Sequence, residues 1–257
     1  MPPPPFIAPA LAQTATRYDV EILFAIESGS RAWGLASTDS DYDVRFVYRH
    51  RPAWYLSLHP GRDMIGPHIE RGGELDLAGW DVRKFLHHLS NSNPNVLEWL
   101  ASPIVYHVTG TFLEDCRRLA DTYFRPRKAI AHYLGIAHGA RQAGLDTDER
   151  WNLKKFCYWM RPILAATYIV RHGRRPPITM DGLLPLIDDR ELTALIHELM
   201  ELKHTVREDY RTRVDPRLMT YFAELKMHAT TACTGMDKDV NRSDEADAFF
   251  RQTIGYP

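Results

Sequence analysis

Apolar and polar positions alternate with two different periods along this chain, and the change of period divides it. Residues 20–26 form an apolar run read as a first strand, preceded by a Pro-rich arm and a short helix over residues 11–18. Residues 42–48 alternate acid, apolar and basic side chains and predict a second strand. Glu74, Leu75, Asp76 and Leu77 alternate as a short third one, and residues 103–106 suit a short edge strand. A short helix is expected from Ser30 to Leu35, followed by the turn formers Asp39 and Ser40. Residues 49–73 are rich in Pro, Gly and His and show no clear period, so an irregular excursion with room for one hairpin is expected. From Asp81 the period becomes helical. Asp81 suits an N-cap for a helix carrying Val82, Phe85, Leu86 and Leu89 on one stripe. Asn93-Pro94 opens the next, and further helices are predicted over 111–123, 126–143, 151–171, 190–208 and 216–229. The pattern predicts an α+β part, residues 1–124, and a helical part, residues 125–257, with no internal repeat.

Composition narrows the class without naming a chemistry. The 257 residues are 44% hydrophobic and 25% charged, ordinary for a soluble protein with an ample core. A net charge of −1 excludes a global basic field, so any nucleic acid contact has to use a local patch. Cys116, Cys157 and Cys233 are far apart and have no metal spacing, which suits buried thiols in a reducing compartment. The twelve histidines form no zinc pattern: His87 and His88 face different ways on a helix, and His132 and His138 are six apart. The Pro2–Pro5 run does not suit a signal peptide, and no apolar run is long enough to cross a membrane. A cytoplasmic protein is expected.

The chemistry concentrates between Ile26 and Val44. A small-residue turn, Gly29-Ser30, follows the apolar strand, and eleven residues beyond Ser30 stand Asp41 and Asp43. In a strand these two carboxylates share a side. Held together they call for a cation, and Mg²⁺, which takes carboxylate oxygens together with substrate phosphates, suits them. The turn upstream offers backbone N–H groups and a hydroxyl to phosphate oxygens. Read alone, an Asp-x-Asp is an exposed polar turn; the Gly-Ser at this interval favours the metal reading. The segment resembles the signature of the DNA polymerase beta-like nucleotidyltransferase superfamily, in which Gly-Ser precedes an acid-apolar-acid-apolar strand.

That resemblance implies a third carboxylate that completes metal coordination and takes the proton from the attacking hydroxyl. Asp76, on the predicted third strand, is the first candidate and Glu74 the second; Asp81 suits a helix cap. Gly29 and Ser30 are expected at the β- and γ-phosphates of a nucleoside triphosphate, ATP among them, and Ser40 within reach of phosphate. Lys154, Tyr158 and Arg161 fall at i, i+4 and i+7 of one helix, as a triphosphate clamp or as the wet side of an amphipathic helix. Trp33 and Trp80 suit either core or base stacking.

A closer resemblance covers most of residues 24–171. The blocks from Glu27 to Val47, Asp76 to Leu86, Ser92 to Leu100, Ser102 to Tyr106 and Lys154 to Pro162 are similar to the YcgL/RlaP family, the RNA-ligase-associated proteins. It implies a nucleotidyltransferase core, a small mixed sheet flanked by helices, followed by a helical substrate domain. It also implies Mg²⁺ or Mn²⁺ on Asp41, Asp43 and Asp76, and transfer of a nucleoside monophosphate from an NTP to an acceptor hydroxyl. RNA ends beside an RNA ligase system are the implied acceptors. A protein hydroxyl, as in antitoxin-type members, a small molecule, and a non-catalytic nucleotide-binding protein stay open, and no oligomeric state is implied.

Overall fold

Strands and short helices alternate up to residue 108, and helices dominate beyond it. The computed structural model describes residues 3–37, 39–59, 61–236 and 244–256; Pro2 of the proline run and Thr38 of the motif lie outside the described residues. The first elements are α1 (Ile7–Tyr18), β1 (Glu21–Glu27), α2 (Gly29–Ala32), β2 (Tyr42–Arg49), α3 (Pro52–Tyr55), β3 (Met64–Glu70) and β4 (Leu75–Asp81). Then come α4 (Val82–Ser90), α5 (Pro94–Ala101), β5 (Val105–Val108) and α6 (Phe112–Thr122). The rest are α7 (Pro126–Gly144), β6 (Trp151–Asn152), α8 (Leu153–His172), α9 (Met180–Leu183), α10 (Arg190–Thr205), β7 (Arg211–Thr212), α11 (Pro216–Gly235) and α12 (Asp244–Thr253).

The chain forms two units, and a single cut near residue 124 does not describe them. The first holds Met1–Gly29, Asp41–Tyr123 and Val240–Pro257; the second holds Ser30–Ser40 and Phe124–Asp239. Packing sets this division. Leu35 is fully buried in the helical core with Trp159 and Met160. Phe249 of α12 stacks on Phe112 at 5.7 Å between ring centroids, and Phe250 meets Tyr55 edge-on at 5.4 Å.

The first unit is an α+β fold built on a five-stranded mixed sheet, order β3-β4-β2-β1-β5. β2 and β4 run parallel; the other neighbours are antiparallel. One face packs Ile7 and Leu11 of α1 over Val44, Phe46 and Tyr48 of β2 and Leu75 and Leu77 of β4. On the other face Phe24 meets Phe85 of α4 at 5.4 Å and Phe112 of α6 at 5.9 Å. Asp81 ends β4 and caps α4, accepting from the Arg83 backbone N–H at 2.8 Å and from the Tyr55 hydroxyl at 2.7 Å. It is 1% exposed, and burial pushes its carboxyl above the usual range.

Three expectations change here. Residues 49–73 contain α3 and β3 where irregular chain was expected, and β3 makes with β4 the hairpin for which that excursion left room. β3 is an edge strand with only Ile65 buried, so it lacks the apolar alternation that marks a half-buried strand. β4 continues to Asp81 instead of ending at Leu77. Gly79 hides this, and the structure needs it: a Cβ there would lie 2.2 Å from the Phe46 ring. Glu74 lies before the strand and is paired with Arg71 at 2.8 Å, so it does not share the face of Asp76.

In the second unit α8 carries the core. Trp159 contacts Trp151, Phe156 and Phe222 at 5.2, 5.6 and 5.6 Å. The expected helix start at Trp151 is taken by β6, which pairs with β7; α8 begins after the cap Asn152, whose side chain accepts from Lys155 N–H at 2.9 Å.

Candidate active site

Asp43 and Asp76 are register partners on the parallel strands β2 and β4. Neighbours in register share a face, so both carboxylates lie on the side away from α1, where Val44 and Leu77 point. Between them stands a residue the sequence reading passed over. Arg45, two positions along β2 and so on the same face, donates from Nη2 to Asp43 Oδ1 at 2.9 Å and to Asp76 Oδ2 at 2.8 Å. Its Nη1 donates to the backbone carbonyls of Asp76 at 3.0 Å and Val44 at 3.2 Å. All three side chains are about four-fifths buried. Asp76 Oδ1 is shielded from solvent with no hydrogen-bond partner among the described residues.

The turn after β1 fits against this pair. Gly29 has φ +61°, and a Cβ on it would lie 2.2 Å from Asp43 Oδ2. Only glycine allows both that backbone and that approach. The Ser28 N–H donates to the Asp43 carbonyl at 2.8 Å. Glu27, fully buried at the end of β1, is a second residue the sequence reading missed. Its Oε1 accepts from the Asp43 N–H at 2.9 Å and its Oε2 from the Tyr106 hydroxyl at 2.5 Å. An acid closing an apolar strand was the available signal; for Arg45 it was a cation two residues from a candidate ligand.

Asp41 precedes β2 and is half-buried. Among the described residues no three of His, Cys, Asp and Glu are gathered into a metal-holding group, so Asp41 does not join Asp43 and Asp76 in one. The pair itself fits a divalent cation: two adjacent carboxylates, one with an unsatisfied buried oxygen that needs a partner.

The other expected residues belong to the second unit. Ser30 and Ser40 are buried at 3% and 5% exposure. Arg31 Nη2 donates to the Ser40 carbonyl at 2.6 Å and the Leu35 N–H to the Ser30 carbonyl at 2.8 Å, closing the segment into a loop. Ser40 Oγ accepts from the Ser37 N–H at 2.9 Å. The loop is held by the Met180 N–H on the Trp33 carbonyl at 3.0 Å, Lys203 Nζ on the Leu35 carbonyl at 2.6 Å, and His204 Nδ1 on the Ala36 carbonyl at 2.5 Å. Burial lowers the Lys203 amine from its ordinary value. Tyr158 packs edge-on against Trp33 at 4.8 Å, and the Arg161 guanidinium covers the Trp33 ring at 4.2 Å. Arg161 is 2% exposed and donates from Nε to the Ile178 carbonyl at 2.9 Å. Lys154 pairs with Glu208 at 2.6 Å. Tyr158 and Arg161 thus serve Trp33, and the face expected to clamp phosphate is partly internal. In the first unit, Trp80 packs on Trp99 at 4.6 Å and His88 at 4.9 Å.

A mixed sheet with paired aspartates on adjacent strands, and a glycine turn pressed on one of them, is the arrangement expected of a polymerase beta-type nucleotidyltransferase. The chain belongs to the RlaP family, described as the RNA repair pathway DNA polymerase beta family, which it matches over residues 5–252. It is 42% identical over 200 residues to the uncharacterized protein YcgL of Bacillus subtilis strain 168, covering 77% of this chain and 76% of that one. A nucleotidyltransferase-like protein from Exiguobacterium sibiricum 255-15, solved at 1.90 Å, aligns over 96% of this chain and 87% of its own. Its identity is 11% and its TM-score 0.34, and at that level nothing about chemistry transfers. Among the described residues no helix is long and apolar enough to cross a membrane.

Proposed function

We propose that this protein transfers a nucleoside monophosphate from a nucleoside triphosphate to an acceptor hydroxyl, the acceptor being an RNA end. The observation that carries the reading is the Asp43–Asp76 pair in register on parallel strands, with Gly29 shaped to Asp43. Membership of a family described by an RNA repair pathway supports RNA over a protein or small-molecule acceptor. A bound Mg²⁺ or Mn²⁺ would be held by Asp43 and Asp76, with Asp41 at the entry to β2, and would supply charge for the triphosphate. The acceptor oxygen bonds to the α-phosphorus as the bond from that phosphorus to the pyrophosphate oxygen breaks. Asp76 takes the hydroxyl proton, and pyrophosphate leaves. The turn at Gly29, which approaches Asp43 closely, would offer its backbone N–H groups to the triphosphate.

The test is incubation of the full chain with each α-labelled NTP, Mg²⁺ or Mn²⁺, and short RNAs with free 3′ hydroxyls, beside Asp43→Asn and Asp76→Asn. Label moving to RNA only with both acids intact supports the reading and names the nucleotide. NTP binding without transfer to RNA moves the acceptor to a protein or small molecule. Absence of metal-dependent NTP binding removes the catalytic reading altogether.

A further inference from the structure

Resting on the metal reading of Asp43 and Asp76, we propose that Arg45 is a resident counter-cation of that pair: it holds the two carboxylates together when no divalent ion is bound and must leave them when one binds. Two like charges on adjacent strands repel, and burial of about four-fifths of each side chain strengthens that repulsion. Arg45 answers it with one nitrogen, Nη2, placed 2.9 Å from an oxygen of Asp43 and 2.8 Å from an oxygen of Asp76. Its second nitrogen is anchored on two backbone carbonyls of the same strands. The guanidinium therefore has acceptors on β2 and β4 alike, and its position belongs to the fold rather than to a mobile surface chain. A divalent ion that took either of these two oxygens would stand about 2.0–2.6 Å from it, on the oxygen that already accepts from Nη2. Metal and guanidinium exclude each other there, so the free protein binds metal more weakly than its carboxylates alone would.

The experiment measures Mn²⁺ binding by electron paramagnetic resonance, with thermal unfolding in EDTA and in Mn²⁺, on the wild type, Arg45→Gln, Arg45→Lys and Asp76→Asn. Arg45→Gln is expected to bind Mn²⁺ roughly tenfold more tightly, because two charge-assisted hydrogen bonds no longer compete. It is expected to melt lower than the wild type in EDTA, the gap closing in Mn²⁺. Arg45→Lys, a point charge without the planar fork, falls between. Asp76→Asn loses Mn²⁺ binding. If Asp76→Asn abolishes binding while Arg45→Gln binds as the wild type does, the exchange is wrong and the metal site stands. If neither wild type nor Arg45→Gln binds Mn²⁺, the metal reading fails and this inference with it. Should Arg45→Gln not fold, ¹⁵N-arginine spectra of the wild type decide. The Arg45 side-chain signal, assigned with Arg45→Lys, is expected to move on Mg²⁺ saturation, and an unmoved signal overturns the exchange.

Discussion

Gly29→Ala tests the geometry of the site through a single methyl group. Two separate penalties act on it. The backbone at Gly29 has φ +61°, where an L side chain costs about 1–2 kcal/mol. The new Cβ would also lie 2.2 Å from Asp43 Oδ2 and 3.1 Å from its carboxyl carbon, inside van der Waals contact. Asp43 cannot move freely, since its other oxygen is held by Arg45 and its backbone N–H and carbonyl by Glu27 and Ser28. Relief has to come from breaking the Arg45 contact or shifting the turn, a further cost of roughly 1–3 kcal/mol by analogy with overpacking. Gly34 is the control: its φ is +75° and nothing lies within 4 Å of its missing Cβ, so Gly34→Ala carries the backbone penalty alone. At about 2–4 °C per kcal/mol for a chain of this size, Gly29→Ala is expected to melt several degrees below Gly34→Ala by calorimetry. Mn²⁺ binding is expected to fall for Gly29→Ala and to stay unchanged for Gly34→Ala. Equal melting temperatures with equal Mn²⁺ binding would refute the close approach of Gly29 to Asp43.

Three further substitutions probe other buried groups. Tyr55→Phe removes the hydroxyl that donates to Asp81, whose carboxyl burial already pushes up. Losing that donor raises it further, so the added cost of about 1–3 kcal/mol appears as pH rises above the usual carboxylate range. Urea unfolding should show a larger loss at pH 7 than at pH 4; a loss independent of pH would count against a charged Asp81. Lys203→Met probes an amine lowered from its ordinary 10.5 by burial. Because the folded state releases that proton first, the wild type is expected to gain stability relative to Lys203→Met as pH rises toward 10.5. A constant or shrinking difference in denaturant midpoints over that interval would contradict the assignment. Arg161→Ala removes the guanidinium over Trp33 and the donor to Ile178, with an expected loss of about 2–4 kcal/mol, and Arg161→Lys recovers only part of it. A melting temperature for Arg161→Ala within one degree of wild type would show that Trp33 does not depend on it.

What could be read from the sequence follows how local each determinant is. Asp43 and its place on β2 were legible because period two is a property of the strand itself. Asp76 was legible as a residue on a strand, but its register beside Asp43 comes from seven paired positions extending to Asp81, four of them beyond the expected end at Leu77. Strand β3 could not be delimited within the expected excursion because an edge strand buries too little to leave a pattern, and nothing local marks Gly79 as the residue that makes room for Phe46. Arg45 looked like the polar half of an alternating strand. Nothing local distinguishes a cation facing water from one facing two carboxylates, since the second carboxylate lies thirty-one residues away.

The motif from Gly29 to Asp43 is contiguous in sequence, yet the fold divides it between two cores. Gly29, Asp41 and Asp43 belong to the sheet unit, whereas Ser30 to Ser40 belongs to the helical one. That intervening loop is specified by Leu35 in the helical core and by Lys203 and His204 on its carbonyls, about 168 residues further along the chain. A spacing of about ten residues between the Gly-Ser turn and the acids therefore has a structural cause as well as a chemical one. It is the length needed for the chain to leave the sheet, bury Leu35, close on itself through Arg31 and Ser40, and return in register for β2. The serines read as phosphate ligands are held by this loop's own hydrogen bonds, and Tyr158 and Arg161 by Trp33 within it. The presence of Ser30 and Ser40 in one motif with the acids reflects packing within the helical unit, not only a common substrate.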